Sequence, residues 1–320
     1  MKVVDRGSDY PDTGKACALG AALAHPLASL TKNEPHLALV VAEGTSALCD
    51  QAVAWEQELG SARAKRNLTA LGDSRAAEIT DARIAAARAH SRAAARFDGS
   101  FRQLEGHFGD LGAECPKIRE KDEFVVLFGL VTGTLALLHD KAGGTENDVP
   151  LDRLNVVART SECLDDAAWW SAPKALRAGA WATIPGSGPA GVDAWALLDE
   201  AAREGDASGV RVARGIQVLL AANAGRDDVV EEALRAHAAS IAATPQDPDW
   251  ALLDAYAYEV SLHQSDLLWT AATGHRTEAF GQLPSDVAPA PEPTGPDPFG
   301  AFGAPAPPPV EPVKAPEETP

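Results

Sequence analysis

Residues 81–97 read DARIAAARAHSRAAARF, a segment in which alanine alternates with arginine and a single β-branched residue, Ile84, occurs. Alanine has the highest helix propensity, and the long arginine side chains lose little rotamer freedom in a helix. A strand would need β-branched and aromatic residues that this segment does not supply. It predicts a helix, placed at Ala76 to Phe108, and the same composition recurs along the chain. Alanine fills about a fifth of the 320 residues, in one apolar-and-charged helical pattern after another. The predicted fold class is all-α.

Working outward, a first helix is expected over Asp12–Leu30, kinked at Pro26, and a second from Pro35 to Leu59. In the second, Leu37, Val40, Val41, Ala47 and Leu48 recur at helical spacing, and Gly44 permits a close helix crossing. Beyond the alanine-rich helix, the periodicity predicts helices at Lys121–Leu138 and Pro150–Asp165, the latter capped by Asp148. A tryptophan-rich passage with interleaved Pro and Gly follows and predicts a break between helices. Shorter helices are then expected at Asp193–Glu204, Gly209–Ala224, Arg226–Ala243 and Trp250–Thr273. The pair over 209–243, turning at Gly225, matches the ~34-residue length of a tetratricopeptide-like unit. The expected architecture is a solenoid-like bundle of antiparallel helix pairs over residues 1–282. Thirteen of the 23 prolines lie between Pro284 and Pro320. The segment 283–320 is therefore expected to be a disordered Pro/Ala/Glu-rich tail, with Phe299 and Phe302 as a short docking motif or simply part of a linker.

A net charge of −18 argues against nucleic acid and against anionic membrane surfaces, which need clustered Lys and Arg. Six arginines between Arg75 and Arg102 are spread among alanines, the pattern of a solvated helix face. The apolar run FVVLFGLVTGTLALL (124–138) lies between Glu123 and Asp140. It falls short of the ~20 residues that cross a bilayer, so it predicts a buried core helix and no transmembrane span. The opening residues carry no apolar signal region. The protein is then cytoplasmic, or an export signal has been removed.

The cysteines bear on that choice. Cys17 and Cys49 are equidistant from Asn33 in a polar turn, and Cys115 and Cys163 are equidistant from His139. Antiparallel hairpins about those points would bring each pair level, so two local disulfides are expected, which belong to an oxidising compartment. The competing expectation is four reduced, buried thiols. No pair of Cys or His shows zinc-ligand spacing, so no metal is expected.

The chain contains no GxSxG, P-loop, GxGxxG or HExxH motif, and its eight histidines are scattered. No catalytic residue and no cofactor is predicted. A buried cluster of Glu43, His90 and His139 would reopen an enzymatic function. Glu43, inside LALVVAEGTSAL, is singled out as a ligand contact or as an acid bonded across a helix interface. Trp169, Trp170, Trp181 and Trp195 are candidates to line a ligand cleft, or else to wedge two helical layers together.

Several segments, in this order, resemble the T-components (TatT-type proteins) of TRAP transporters. They are LALVVAEGTSALCDQAVAWEQEL (37–59), the alanine-rich helix (81–97), FVVLFGLVTGTLALL (124–138), DVPLDRL (148–154), the helix-pair region 193–243 and DWALLDAYAYEVSLHQSDLL (249–268). The resemblance implies a non-catalytic, lipoprotein-like helical scaffold of the periplasm or outer membrane with degenerate tetratricopeptide-like pairs. It implies a protein partner, a periplasmic solute-binding protein, and a small hydrophobic or organic solute. The chain departs from that family in lacking a lipidated cysteine signal and in carrying the proline-rich tail. A cytosolic tetratricopeptide-like adaptor is the alternative, and homo-oligomerisation is left open.

Overall fold

The computed structural model describes residues 11–30, 36–66 and 74–287, and within them it contains ten α-helices and no strand. The first four helices are long: α1 (Thr13–Leu30), α2 (His36–Arg66), α3 (Ser74–Phe108) and α4 (Glu123–Gly143). The alanine-rich segment is the middle of α3. Its buried residues Ala86, Ala89, His90, Ala93, Ala94, Phe97, Phe101 and Leu104 recur three and four apart, which makes one continuous stripe. Small residues on that stripe let α2 and α4 lie close against α3, and these are the most extensive helix contacts of the molecule. Gly44 does permit a close crossing: a Cβ there would lie 2.8 Å from the Thr132 methyl group on α4. Phe97 and Phe101 then fill the space the alanines leave.

Helix α1 is laid on α2 by two devices. Gly20 sits so near α2 that a Cβ would fall 2.6 Å from the Ala42 carbonyl oxygen. One turn away, Cys17 and Cys49 form a disulfide. The second disulfide joins Cys115 to Cys163. Both expected pairings are therefore present, and they accord with an oxidising compartment. The second pair departs from the hairpin geometry: Cys115 lies in the irregular segment between α3 and α4, and Cys163 lies just past the end of the next helix.

Six further helices complete the body: α5 (Arg153–Ser161), α6 (Ala172–Thr183), α7 (Ala194–Ser208), α8 (Val212–Asn223), α9 (Asp227–Ala243) and α10 (Ala251–Thr273). Each packs on the next, and α6–α8, α7–α9 and α8–α10 also touch, the pattern of stacked helix pairs. The expected pair over 209–243 is α8 with α9, turning at Gly225, whose φ of +68° suits glycine. Two fully buried arginines tie this stack together. Arg211 donates to Asp254 of α10 at 2.8 Å and to Ser240 Oγ of α9 at 2.8 Å. Arg214 reaches back to Asp199 and Asp206 of α7. Helix α10 finally returns to pack on α2.

Several boundaries differ from expectation. The tryptophan-rich passage is not simply a break, because α6 lies inside it and carries Trp181. Pro173 occupies its first turn, where the missing N–H costs nothing. Helix α5 starts at Arg153 rather than Pro150, and Asp148, at φ +51°, caps nothing. Asp140 organises that loop instead, accepting from the backbone N–H groups of Asn147 at 2.9 Å and Val149 at 3.1 Å. Helix α2 continues past Leu59 to Arg66. Leu283, placed in the tail by composition, is buried in the core, and the compact body ends at Pro284.

Arg92 and Arg96 are not merely solvated, since both hold Asp50, at 2.8 and 3.1 Å. Helix α4 outruns the 15-residue apolar stretch. With the turn before it, and like α2, it is long and apolar enough to cross a membrane; 72% of its most apolar window is buried inside the fold. The N-terminal residues, the 31–35 turn, and Phe299 and Phe302 lie outside the described residues.

Candidate ligand-binding cavity

Between the long α2–α4 layers and the stack of short helices lies an interior cavity of about 70 Å³. Helix α4 forms one wall with Leu127, Phe128, Val131 and Leu135, and α8 and α10 form the other with Ile216, Leu219, Leu253 and Val260. Thr45, Thr132 and Thr134 also border it, but their hydroxyls are occupied. Thr45 donates to the Val41 carbonyl (2.7 Å), Thr132 to that of Gly129 (2.8 Å) and Thr134 to that of Leu130 (3.1 Å). Each threonine thus presents its methyl side, and no charged group lines the space. Such a wall accepts apolar matter and rejects ions.

Tyr256 shows how the cavity sits in the core. Burial pushes its phenol well above the ordinary range, and the residue borders the cavity. Its hydroxyl is satisfied by Gln51 at 3.1 Å, which leaves the ring face for the void.

One end of the cavity is framed by aromatic rings. Phe124, Trp169, Trp170 and Trp250 form a contiguous group with centroid separations of 4.7 to 6.2 Å. Phe124 and Trp170 border the void directly. Trp169 stands behind them, its indole N–H donating to Glu123 Oε2 at 2.9 Å.

The candidate residues are thereby distributed. Trp170 lines the cavity, Trp169 supports it, and Trp181 faces a separate surface cleft. Trp195 is elsewhere, packed between core clusters beneath the Arg226 guanidinium, 5.2 Å from the ring. Glu43 does not border the cavity. It is half-buried, and burial raises its carboxyl above the usual range while Arg96 opposes the rise. Trp250 and Tyr256 escaped the sequence analysis because nothing local relates them to Trp170, some 80 residues away. The recurrence of aromatic residues in 250–258 was the only signal.

A second constellation joins four helices. Glu58 of α2 accepts from His90 of α3 at 3.0 Å and from His263 of α10 at 2.8 Å. His90 Nδ1 meets His139 Nδ1 of α4 at 2.8 Å. The buried pair of histidines expected of an enzyme is present, but its acid is Glu58, and Glu43 takes no part. Burial acts to raise the Glu58 carboxyl, and hydrogen bonds from His263 and His90 override it, holding the group at about 2. His139 is held at about 3, chiefly by burial and then by His90. A surface cleft passes Glu58 and His90, and among the described residues no nucleophile is hydrogen-bonded to either. Among the described residues no group of three or more His, Cys, Asp or Glu is arranged to hold a metal ion.

No protein-family model, curated protein or solved structure matches this chain.

Proposed function

We propose that the protein is a non-catalytic, ligand-handling helical scaffold that holds a small apolar solute in its central cavity. The observation that carries this is the cavity wall: an aliphatic and aromatic lining from α2, α4, α8 and α10, with every bordering hydroxyl already satisfied. Apolar voids of this kind stay dry and take up apolar guests. The stacked contacts of α6 to α10 support tetratricopeptide-like pairing, whose outer surfaces suit a protein partner. Two disulfides favour the periplasm over the cytosol and weigh against the cytosolic adaptor. With the resemblance to TRAP-transporter T-components, they suggest a periplasmic solute-binding protein as that partner.

Calorimetric titration with toluene tests the cavity. Saturable binding by the wild-type chain, abolished by Leu219→Trp, which fills the void, is the expected outcome. Absence of binding to wild-type protein, or equal binding by the filled variant, overturns it.

A further inference from the structure

Among the described residues, Trp170 alone borders both the central cavity and a surface cleft of about 470 Å³. The cleft lies along α6 and α7 and is walled by Ser171, Lys174, Arg177, Trp181 and Glu204. Trp170 is therefore the residue that the cleft and the apolar interior share.

The backbone that carries this indole is held out of its relaxed conformation. Trp170 and Ser171 both occupy the left-handed region, at φ +49° and +57°. That region is disfavoured for residues with a Cβ, above all bulky ones, and such strain persists only where surroundings enforce it. Backbone bonds hold either side of it, from the Ala172 N–H to the Trp169 carbonyl and from the Ala175 N–H to the Ser171 carbonyl, both 2.9 Å. The Ser171 N–H donates to the Asp166 carbonyl at 2.8 Å, and its hydroxyl donates to Glu204. The Glu204 side chain is 46% exposed, so water can replace that bond when it turns outward. On the inner side Trp170 meets Trp250 edge to face, with centroids 4.7 Å apart. Loss of the Ser171–Glu204 bond would let the 170–171 backbone relax and carry the indole off the cavity.

The cleft also limits what can wait outside. Its cations are already matched: Lys174 to Glu200 (2.8 Å) and Glu204 (3.1 Å), and Arg177 to Asp166 (2.6 Å). These pairs set three carboxylates against two cations, so an anionic head must displace a carboxylate, whereas an uncharged or zwitterionic head keeps the pairs and bonds to Ser171 or Ser208 at the rim.

We propose that Trp170 is the gate between cleft and cavity, and that the ligand it admits is a small amphiphile whose head carries no net negative charge. The apolar end enters the cavity, and the head stays in the cleft. This rests on the cavity being the ligand site.

The test uses the full chain with toluene, 1-octanol, octanoate and octylammonium. Affinities come from calorimetry and entry rates from stopped-flow tryptophan fluorescence. Octanol and octylammonium are each expected to bind at least tenfold tighter than octanoate. Trp170→Ala should speed entry of toluene and octanol at least tenfold, with Trp170→Phe intermediate and available should the alanine variant fold poorly. Ser171→Ala should weaken octanol severalfold and leave toluene affinity unchanged. Entry rates in Trp170→Phe and Trp170→Ala equal to wild type, or octanoate bound as tightly as octanol, would overturn the proposal. Failure of toluene itself to bind would overturn the cavity as a ligand site and the gate with it.

Discussion

Glu58 and His263 are 205 residues apart in sequence and 2.8 Å apart in the fold. Their bond fastens α10, the last helix of the short-helix stack, onto α2 of the long-helix layers. Glu58 also takes the His90 bond, and Trp55 stacks on the His263 ring with centroids 4.6 Å apart. Glutamine in its place keeps one acceptor oxygen for two largely buried histidines and turns an NH2 donor towards the other. Hydrogen bonds to charged groups are worth about 1.5–3 kcal/mol each. Glu58→Gln is accordingly expected to lower unfolding stability by about 2 kcal/mol in urea denaturation at pH 7, and a change under about 0.5 kcal/mol would show the junction to be incidental.

The same cluster sets an acid dependence. Glu58 is held at about 2, below its ordinary 4.5, so its contribution is complete above pH 4.5 and lost as pH falls towards 2. His139 and His237, chiefly through burial, are held at about 3, below 6.5. Between those limits the unfolded chain binds more protons than the folded one, so stability is lost as pH falls. Thermal melts should show Tm dropping continuously from pH 7 to pH 4, and a flat Tm across that window would contradict the burial of both histidines.

The disulfides close loops of 32 and 48 residues. Chain-entropy reasoning assigns crosslinks of this span roughly 2–4 kcal/mol each. Alkylation of native protein without reduction should add no mass, whereas reduction first should expose all four thiols. Cys17→Ala with Cys49→Ala is expected to cost stability within that range, and detectable alkylation of unreduced protein would refute the pairing.

Gly20 offers a contest of two effects. Alanine is the better helix former by about 1 kcal/mol, but its Cβ would meet Thr45 Oγ1 and lie 2.6 Å from a backbone oxygen and 2.7 Å from a backbone nitrogen of α2. Backbone cannot step aside as a flexible side chain can, and overpacking costs about 1–3 kcal/mol. Gly20→Ala should therefore destabilise, whereas Gly60→Ala, with nothing within 4 Å of the new methyl, should stabilise. Chemical denaturation of both variants checks the opposite signs.

Arg211 makes the sharpest single-residue prediction. It is fully buried, and Asp254 depends on it. Arg211→Met leaves that carboxylate uncompensated, for which about 3–5 kcal/mol is typical. Lysine cannot reproduce the forked set of bonds to Asp254 and Ser240. Both variants should unfold at markedly lower denaturant concentration, and the methionine variant should recover when combined with Asp254→Leu.

Helicity, the length of α3, the α8–α9 pair and the Cys17–Cys49 pairing were legible in the sequence, whereas Cys115 and Cys163 pair as expected but without the hairpin that suggested it. Each follows from propensity, from spacing within one segment, or from symmetry about a turn, and all of these are local quantities. The sequence also suggested tryptophans near 169–195, but not that Trp170 would serve the cavity while Trp195 packs elsewhere under Arg226. Which side chains converge was decided by tertiary structure. Trp250 reaches Trp170, Glu58 rather than Glu43 meets His90 and His263, and Arg211 finds Asp254, because α10 folds back across α2 and α8. Hydrophobic burial drives that return, but burial is non-directional, so periodicity reveals that a face is covered without revealing by which distant helix.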